Sequence, residues 1–194
     1  MKKLHFIPGI LAIIALTIIS TGAHAQKDNS TFEVGSATVN IGVGVGRSSF
    51  GSYGIYSSGY YGYGTGFGTK AAIERGMWQL GPGVLSLGFE AGAAFSNASK
   101  SYKSNIIIVA ARSAYHFGWN VPNLDTYGGV SLGPGFRSRD YDNSPTDKRT
   151  NHDVVIAPGF FVGGSYFFSP KIGVNVEAGY DITVIQGGIV FKLN

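Results

Sequence analysis

The sequence predicts an all-β protein, an eight-stranded antiparallel up-and-down transmembrane β-barrel. Two-residue alternation predicts the strands, because successive side chains of a β-strand point to opposite faces of a sheet. One face of a clear example carries Leu85, Leu87 and Phe89, and the other carries Ser86 and Gly88. The same rhythm recurs along the chain. An apolar face beside a face of small residues is typical of a barrel with lipid outside and packed side chains inside.

Composition favours a barrel in lipid over a water-soluble enzyme. Charged residues make up 13% of the chain, well below the ~25% of soluble domains. The chain has 30 glycines, 13% aromatic residues and no cysteine. The absence of cysteine excludes disulfides, thiolate metal sites and a lipoprotein attachment site. An exported chain of this kind therefore needs another source of stability.

Residues 1–25 have the features of a secretory signal peptide. Lys2 and Lys3 supply a positive start, an apolar core follows over 7–19, and Ala23-His24-Ala25 is a small-x-small cleavage site. A transmembrane anchor is the alternative, but the apolar run is shorter than the ~20 residues that a spanning helix needs. We therefore expect this segment to be cleaved.

The remainder of the chain has the length of one domain. Residues 26–34 predict a short periplasmic N-terminal segment, and residues 35–194 predict the barrel domain. Loss of Lys2 and Lys3 with the signal lowers the formal charge of +4 by two. The small remaining charge gives no basis for nucleic-acid binding.

The first four strands follow from the residues on their two faces. Strand one, 35–46, and strand three, 84–95, alternate cleanly. Strand two, 67–80, is less regular, because Arg75 falls on the apolar face; either Arg75 reaches the interfacial region near the next turn, or a β-bulge interrupts the strand. Strand four, 105–117, again has one apolar face.

The last four strands follow in the same way. Strand five, 124–136, has an inner face of small and polar residues, and strand six, 152–168, has an apolar outer face. Pro158 withholds a ladder donor and predicts a bulge or weak spot within strand six. Strands seven, 172–180, and eight, 182–194, complete an even number.

The connections alternate in length. Gly81-Pro82-Gly83 predicts a tight turn, and the loops expected at 47–66, 96–104 and 137–151 are long. Outer-membrane barrels have short periplasmic turns and longer extracellular loops. The last connection, near Asp181, departs from this pattern because it is short.

A soluble up-and-down barrel is the main structural alternative. Its polar face would meet solvent and would carry many Lys, Glu and Thr residues. The polar face here consists mostly of Gly, Ser, Ala and Asn, which suit the crowded interior of an eight-stranded barrel. Aromatic residues near strand ends, such as Trp78, Trp119 and Tyr166, predict interfacial girdles.

The sequence resembles the small outer-membrane barrels typified by the OmpA transmembrane domain and OmpX. The resemblance rests on the signal ending Ala23-His24-Ala25, on the alternating strands over 35–194 and on the amphipathic final strand with Phe191, Lys192 and Leu193. It implies a location in the cell outer membrane, contact with outer-membrane lipid and recognition by the outer-membrane barrel insertion machinery. Many members end on an aromatic residue, whereas this chain ends on Asn194.

Charged residues on the predicted inner face form the strongest candidate site. One interpretation is an ion path or gate, and the other is a set of buried ion pairs that plug the barrel. Eight strands leave little room for water, and a buried charge needs a partner, so plugging is favoured. Arg112 is expected to bridge Glu90 and another glutamate. The predicted lumen charge network comprises Lys70, Glu74, Glu90, Arg112, Glu177 and Lys192.

Tyrosines in the 47–66 loop form a second candidate. Tyr among Ser and Gly is a composition that binds other surfaces well. The loop therefore predicts contact with an unknown surface ligand, and the alternative is a flexible or strand-extending loop near the lipid headgroups. The residues concerned are Tyr53, Tyr56, Tyr60, Tyr61 and Tyr63.

Nothing in the sequence favours catalysis. After the signal the chain has only His116 and His152, and neither lies in a His-x-Ser arrangement. No catalytic, cofactor or metal residues are predicted. The expected function is that of an outer-membrane barrel with a packed lumen, acting as a structural and surface-interaction protein through its extracellular loops. A narrow porin-like channel for small solutes is the alternative, and a soluble periplasmic ligand-binding barrel is a third interpretation.

Overall fold

The computed structural model describes residues 31–47, 65–99, 102–119, 121–144 and 147–194. The predicted signal peptide and the tyrosines of the 47–66 loop lie outside these residues. Eight antiparallel strands form one closed barrel in chain order. They are β1 Ala37–Arg47, β2 Thr65–Leu80, β3 Gly83–Ser99, β4 Tyr102–Gly118, β5 Leu124–Ser144, β6 Asp147–Phe167, β7 Ile172–Tyr180 and β8 Thr183–Lys192.

The predicted fold class is confirmed. Each strand pairs with the next in the chain, and β1 closes the barrel by pairing with β8, with Val39 opposite Phe191. Closure matters because a sheet edge exposed to hydrocarbon would leave backbone donors and acceptors without partners. Among the described residues, no helix is long and apolar enough to cross a membrane.

The two faces of the barrel have opposite character. Phe89 and Val162 on the outer face are 67% and 64% exposed. Glu90 and Arg112 on the inner face are buried. A soluble barrel would have the reverse arrangement, so the outward apolar face supports the membrane barrel.

The barrel has two distinct ends, which we name by their connections. The turn end carries the 81–82 turn, the 168–171 turn and the 193–194 segment. The loop end lies at the other ends of the strands and includes the β7–β8 turn at residues 181–182.

The strands at the loop end differ greatly in length. β5 and β6 each have 21 residues, whereas β7 has 9 and β8 has 10. The predicted loops at 96–104 and 137–151 were therefore largely wrong, because β3–β4 pairing reaches Ser99 and β5–β6 pairing reaches Ser144. Ladder hydrogen bonds need no apolar face, so polar sequence can continue a hairpin where side chains meet water.

Two local predictions also need correction. Along β8, the two-residue alternation that puts Ile185 outside predicts Thr183 outside as well, but Thr183 is buried and Ile185 is 57% exposed. The β1–β8 register shifts at this point, so Val184 acts as the extra residue of a bulge and reverses the face of its neighbour. In β2, the register shifts between Gly76 and Trp78, but Arg75 precedes this bulge and is exposed on the outer face, so the bulge does not account for the position of Arg75.

Pro158 does not bulge β6. Leu132 lies opposite Pro158 in an unbroken β5–β6 register. The backbone N–H of Phe167 donates to Asn123 before β5, so alternation along β6 directs the nitrogen of residue 158 toward β7. Pairing with β7 ends at Phe160, so the missing donor falls where β6 has already lost that neighbour.

Candidate functional site: the lumen charge network

Arg112 of β4 lies at the centre of the inner-face charges. Its Nη1 donates to Glu90 of β3 at 3.0 Å, and its Nη2 donates to Glu177 of β7 at 3.0 Å. The predicted bridge between Glu90 and a second glutamate is therefore present. Nε also lies 2.5 Å from Glu74 Oε1. That contact is a charge pair without hydrogen-bond alignment, since neither atom has a hydrogen-bond partner among the described residues.

Lys70 of β2 holds the part of the network nearer the loop end. Its ammonium donates to Glu177 and, at 2.5 Å, to Asp181. Glu90 lies 3.6 Å away. The lysine and these carboxylates are buried. Glu177 therefore pairs with both Lys70 and Arg112. These contacts join β2, β4 and β7 across the lumen.

Asp181 was missed by the sequence prediction. It lies in the β7–β8 turn, where a polar residue is expected in any case. The short β7 and β8 bring this turn down into the barrel. Asp181 is 3% exposed, and Ile182 beside it is fully buried. The only sequence signal was the unusual brevity of this hairpin.

An apolar cluster covers the network on its loop-end side. Ile182 packs with Ile106 and Ile108 of β4 and with Ala157 of β6. The inner face of these strands is therefore apolar near the loop end and charged near the middle. Charged groups beside such a cluster lose hydration, which makes their mutual pairing obligatory.

His116 extends the polar network toward the turn end. Its Nδ1 lies 2.9 Å from Asp125 Oδ2, and its Nε2 lies 3.2 Å from both Glu74 Oε2 and Ser86 Oγ. Both ring nitrogens of His116 thus have hydrogen-bond partners inside the lumen. Ser86 also donates to Glu74 at 2.6 Å.

Aromatic rings complete the layer around the arginine. The guanidinium carbon of Arg112 lies 3.8 Å from the centre of the Phe161 ring, close enough for a cation–π interaction. The Tyr127 hydroxyl donates to Glu177 at 3.2 Å. The arginine thus has carboxylates at its edge and a ring on its face, which compensates for its lost hydration.

Lys192 is the one predicted network residue that lies elsewhere. It is partly buried near the turn end, and its ammonium donates to the backbone oxygen of Thr31 at 2.9 Å. Among the described residues, no group of His, Asp and Glu side chains could hold a metal ion.

A second, smaller ion cluster lies near the loop end. Asp153 of β6 accepts from Arg137 and, at 3.3 Å, from Arg139, both on β5. About a third of the aspartate side chain is exposed. Screening by water makes such pairs weak, so this cluster contributes much less to stability than the buried network.

The likeness to one solved structure agrees with this architecture. No family model and no curated protein matches the sequence. Among solved structures, Neisserial surface protein A (NspA) is 13% identical with a TM-score of 0.51, over 80% of this chain and 93% of that one. Ail, the attachment invasion locus protein of Yersinia pestis, is 10% identical with a TM-score of 0.48, over 82% of this chain and 96% of that one.

A third neighbour is the N-terminal β-barrel domain of Pseudomonas aeruginosa OprF, 14% identical with a TM-score of 0.45, over 82% of this chain and 98% of that one. At these identities the likeness to NspA shows the fold alone. The protein has the fold of the small eight-stranded outer-membrane β-barrels, and the predicted resemblance is confirmed at that level.

Proposed function

We propose that this protein is an outer-membrane barrel with a closed lumen, which acts as a structural and surface-interaction protein by presenting its long β5–β6 hairpin to a partner. Cleavage of residues 1–25, contact with outer-membrane lipid and assembly by the barrel insertion machinery belong to the same proposal. Catalysis has no part in it.

The observation that carries the proposal is the free edge of β6. β6 pairs with β7 only from Phe160 to Phe167, although β6 begins at Asp147. Within the part of the chain that the structure describes, no strand pairs with residues 147–159 on that side. An exposed edge offers unpaired N–H and C=O groups to an extended polypeptide.

The free edge of β6 presents backbone N–H groups at known positions. Because Phe167 donates toward β5, alternate residues Val154 and Ile156 direct their N–H groups away from β5. Their side chains are 67% and 68% exposed on the outer face. A pairing strand would therefore meet backbone donors together with an apolar surface.

What supports a closed lumen is the pairing of its charges. Arg112 and Lys70 engage four carboxylates between them, and the Ile182 cluster lies on the loop-end side. An ion that passes through this layer would have to separate buried ion pairs, and no water would be there to solvate the separated charges. A narrow channel remains the competing function, and conductance separates the two.

The interaction proposal is tested with arrayed extended peptides, whose binding is measured on the refolded barrel and on two variants. Val154→Pro removes an edge donor that the β5 ladder does not use, whereas Val154→Ala trims the side chain and keeps the N–H. We expect peptide binding to be lost in Val154→Pro and kept in Val154→Ala. Equal binding by all three proteins, or no binding at all, would contradict edge recognition.

A further inference from the structure

The segment before β1 enters the turn end of the barrel. Phe32 is 2% exposed, and its ring stacks on the His116 imidazole with centroids 3.7 Å apart and planes 11° apart. Tyr127 lies on the same histidine, with ring centroids 5.2 Å apart. Phe32 therefore covers the turn-end side of the polar network, opposite the Ile182 cluster.

Backbone hydrogen bonds fix this segment to β2. The N–H of Gly35 donates to Gly76 O, and the N–H of Gly76 donates to Ser36 O, each at 2.9 Å. Glu33 and Ser36 close a local turn, in which the Glu33 N–H donates to Ser36 Oγ at 3.0 Å. Gly35 adopts a φ of +91°, which favours glycine.

The last residues of the chain hold the same segment from the other side. Lys192 donates to Thr31 O at 2.9 Å. The Asn194 amide donates to Gly35 O at 2.7 Å and accepts from the Ala37 N–H at 2.8 Å. An apolar side chain at position 194 could not make this paired contact.

Gly76 is needed for the segment to fit. A Cβ at this position would overlap the carbonyl oxygen of Glu33 and would lie 3.1 Å from the Phe32 ring. β2 therefore carries a glycine where the segment crosses it. Chain segments at the start of a domain are normally poorly ordered unless they are tied down, and this one is tied at several points.

We propose that residues 31–36 form a plug that seals the turn end of the lumen, and that the end of β8 latches this plug. Lys192 and Asn194 reach the plug only when β8 lies beside β1, so seating of the plug follows closure of the barrel. The plug keeps water from His116 and the carboxylates behind it. It gives the closed lumen of the proposed function a seal at the turn end.

Water access is tested with cysteine reporters, because the native chain has no cysteine. Ser86 is fully buried and lies 3.2 Å from the His116 ring that Phe32 covers. Ser131 is opposite Arg112 in the β4–β5 ladder, deeper in the lumen. Ser86→Cys and Ser131→Cys proteins are refolded, their folding is checked by heat-dependent gel mobility, and a small thiol reagent is added.

Phe32→Ala should raise labelling of Ser86→Cys by about tenfold or more, as expected for exposure of a protected site, and should leave Ser131→Cys protected. Val34→Ala is the matched control, since Val34 is in the same segment and is 52% exposed. Equal labelling of Ser86→Cys with and without Phe32 would overturn the plug. Labelling of both reporters in the parent protein would instead contradict the closed lumen.

The latch is tested by hydrogen exchange, which does not depend on the Phe32 variant. Asn194→Ala should speed exchange of the Gly35 and Gly76 amides by about tenfold while mid-barrel amides stay protected. Leu193→Ala is the control, because Leu193 is 53% exposed and its N–H bond to Ala37 is a backbone contact. Unchanged exchange at both glycines in Asn194→Ala would overturn the latch.

Discussion

Lys70 of β2 donates to Asp181 of the β7–β8 turn at 2.5 Å, and both side chains are buried. This contact ties the second strand to the last hairpin across the lumen. The hairpin is short enough for its turn to enter the barrel, so its tip becomes part of the interior. The stability of the barrel should therefore depend on a residue that lies in a connection.

Asp181→Ala should destabilise the barrel by about 1.5–3 kcal/mol, because the buried Lys70 ammonium loses one charge-assisted hydrogen bond while it keeps its contact with Glu177. The measurement is the free energy of unfolding in urea, followed by heat-dependent gel mobility. Asp153→Ala is the control, since that side chain is about a third exposed and should cost at most ~1 kcal/mol. Equal effects of the two substitutions would show that the turn does not share in the buried network.

Arg112→Ala should lower the stability of the barrel further, because the guanidinium pairs with three glutamates. We expect a loss of at least ~3–5 kcal/mol, the range for a broken buried pair. Arg112→Lys should recover only part of it, since an ammonium cannot match the planar fork of the guanidinium. An unchanged unfolding midpoint for Arg112→Ala in urea would contradict the pairing.

Two glycines on opposite faces should respond differently to alanine. A Cβ at Gly88, on the inner face, would overlap the carbonyl oxygen of Ile73, whereas one at Gly164, on the outer face, would find its nearest neighbour 3.6 Å away. Gly88→Ala should therefore sharply reduce the folded fraction, and Gly164→Ala should leave it unchanged. The readout is the fraction of refolded protein with barrel-like gel mobility, and a tolerated Gly88→Ala would refute the close packing of β2 on β3.

The long hairpin should be separable from the barrel. The ladder between Asp140 and Thr150 lies beyond the level at which β7 pairs with β6, so replacing residues 140–150 by a short turn should lower stability by no more than ~1 kcal/mol. Peptide binding at the β6 edge should weaken in the same variant. Loss of barrel folding would show that the hairpin is part of the closed structure.

The sequence was sufficient to predict the barrel because each strand has two faces, and in a closed membrane barrel one face meets lipid and the other lines the lumen. Alternation puts Lys70, Glu74, Glu90, Arg112 and Glu177 on one face, and all five are buried inside the barrel. Alternation predicts the wrong face where a bulge interrupts it. Thr183 is the example, because the bulge at Val184 turns its side chain inward.

Other features required the three-dimensional structure. Asp181 resembled an ordinary turn residue, and Phe32 was one of two apolar residues, with Val34, in an otherwise polar segment. Neither the descent of the short hairpin nor the entry of residues 31–36 has a local sequence signature. The extension of β5 and β6 was missed because backbone pairing continued after the apolar rhythm ended.

Single-channel conductance of the refolded mature protein in a planar bilayer tests the closed lumen most directly. The sample must first show the heat-dependent gel shift of a folded barrel. Charges paired across the lumen predict no discrete openings from a folded sample. Stable, discrete openings would mean a water-filled path through the Arg112 layer and would contradict the closed barrel.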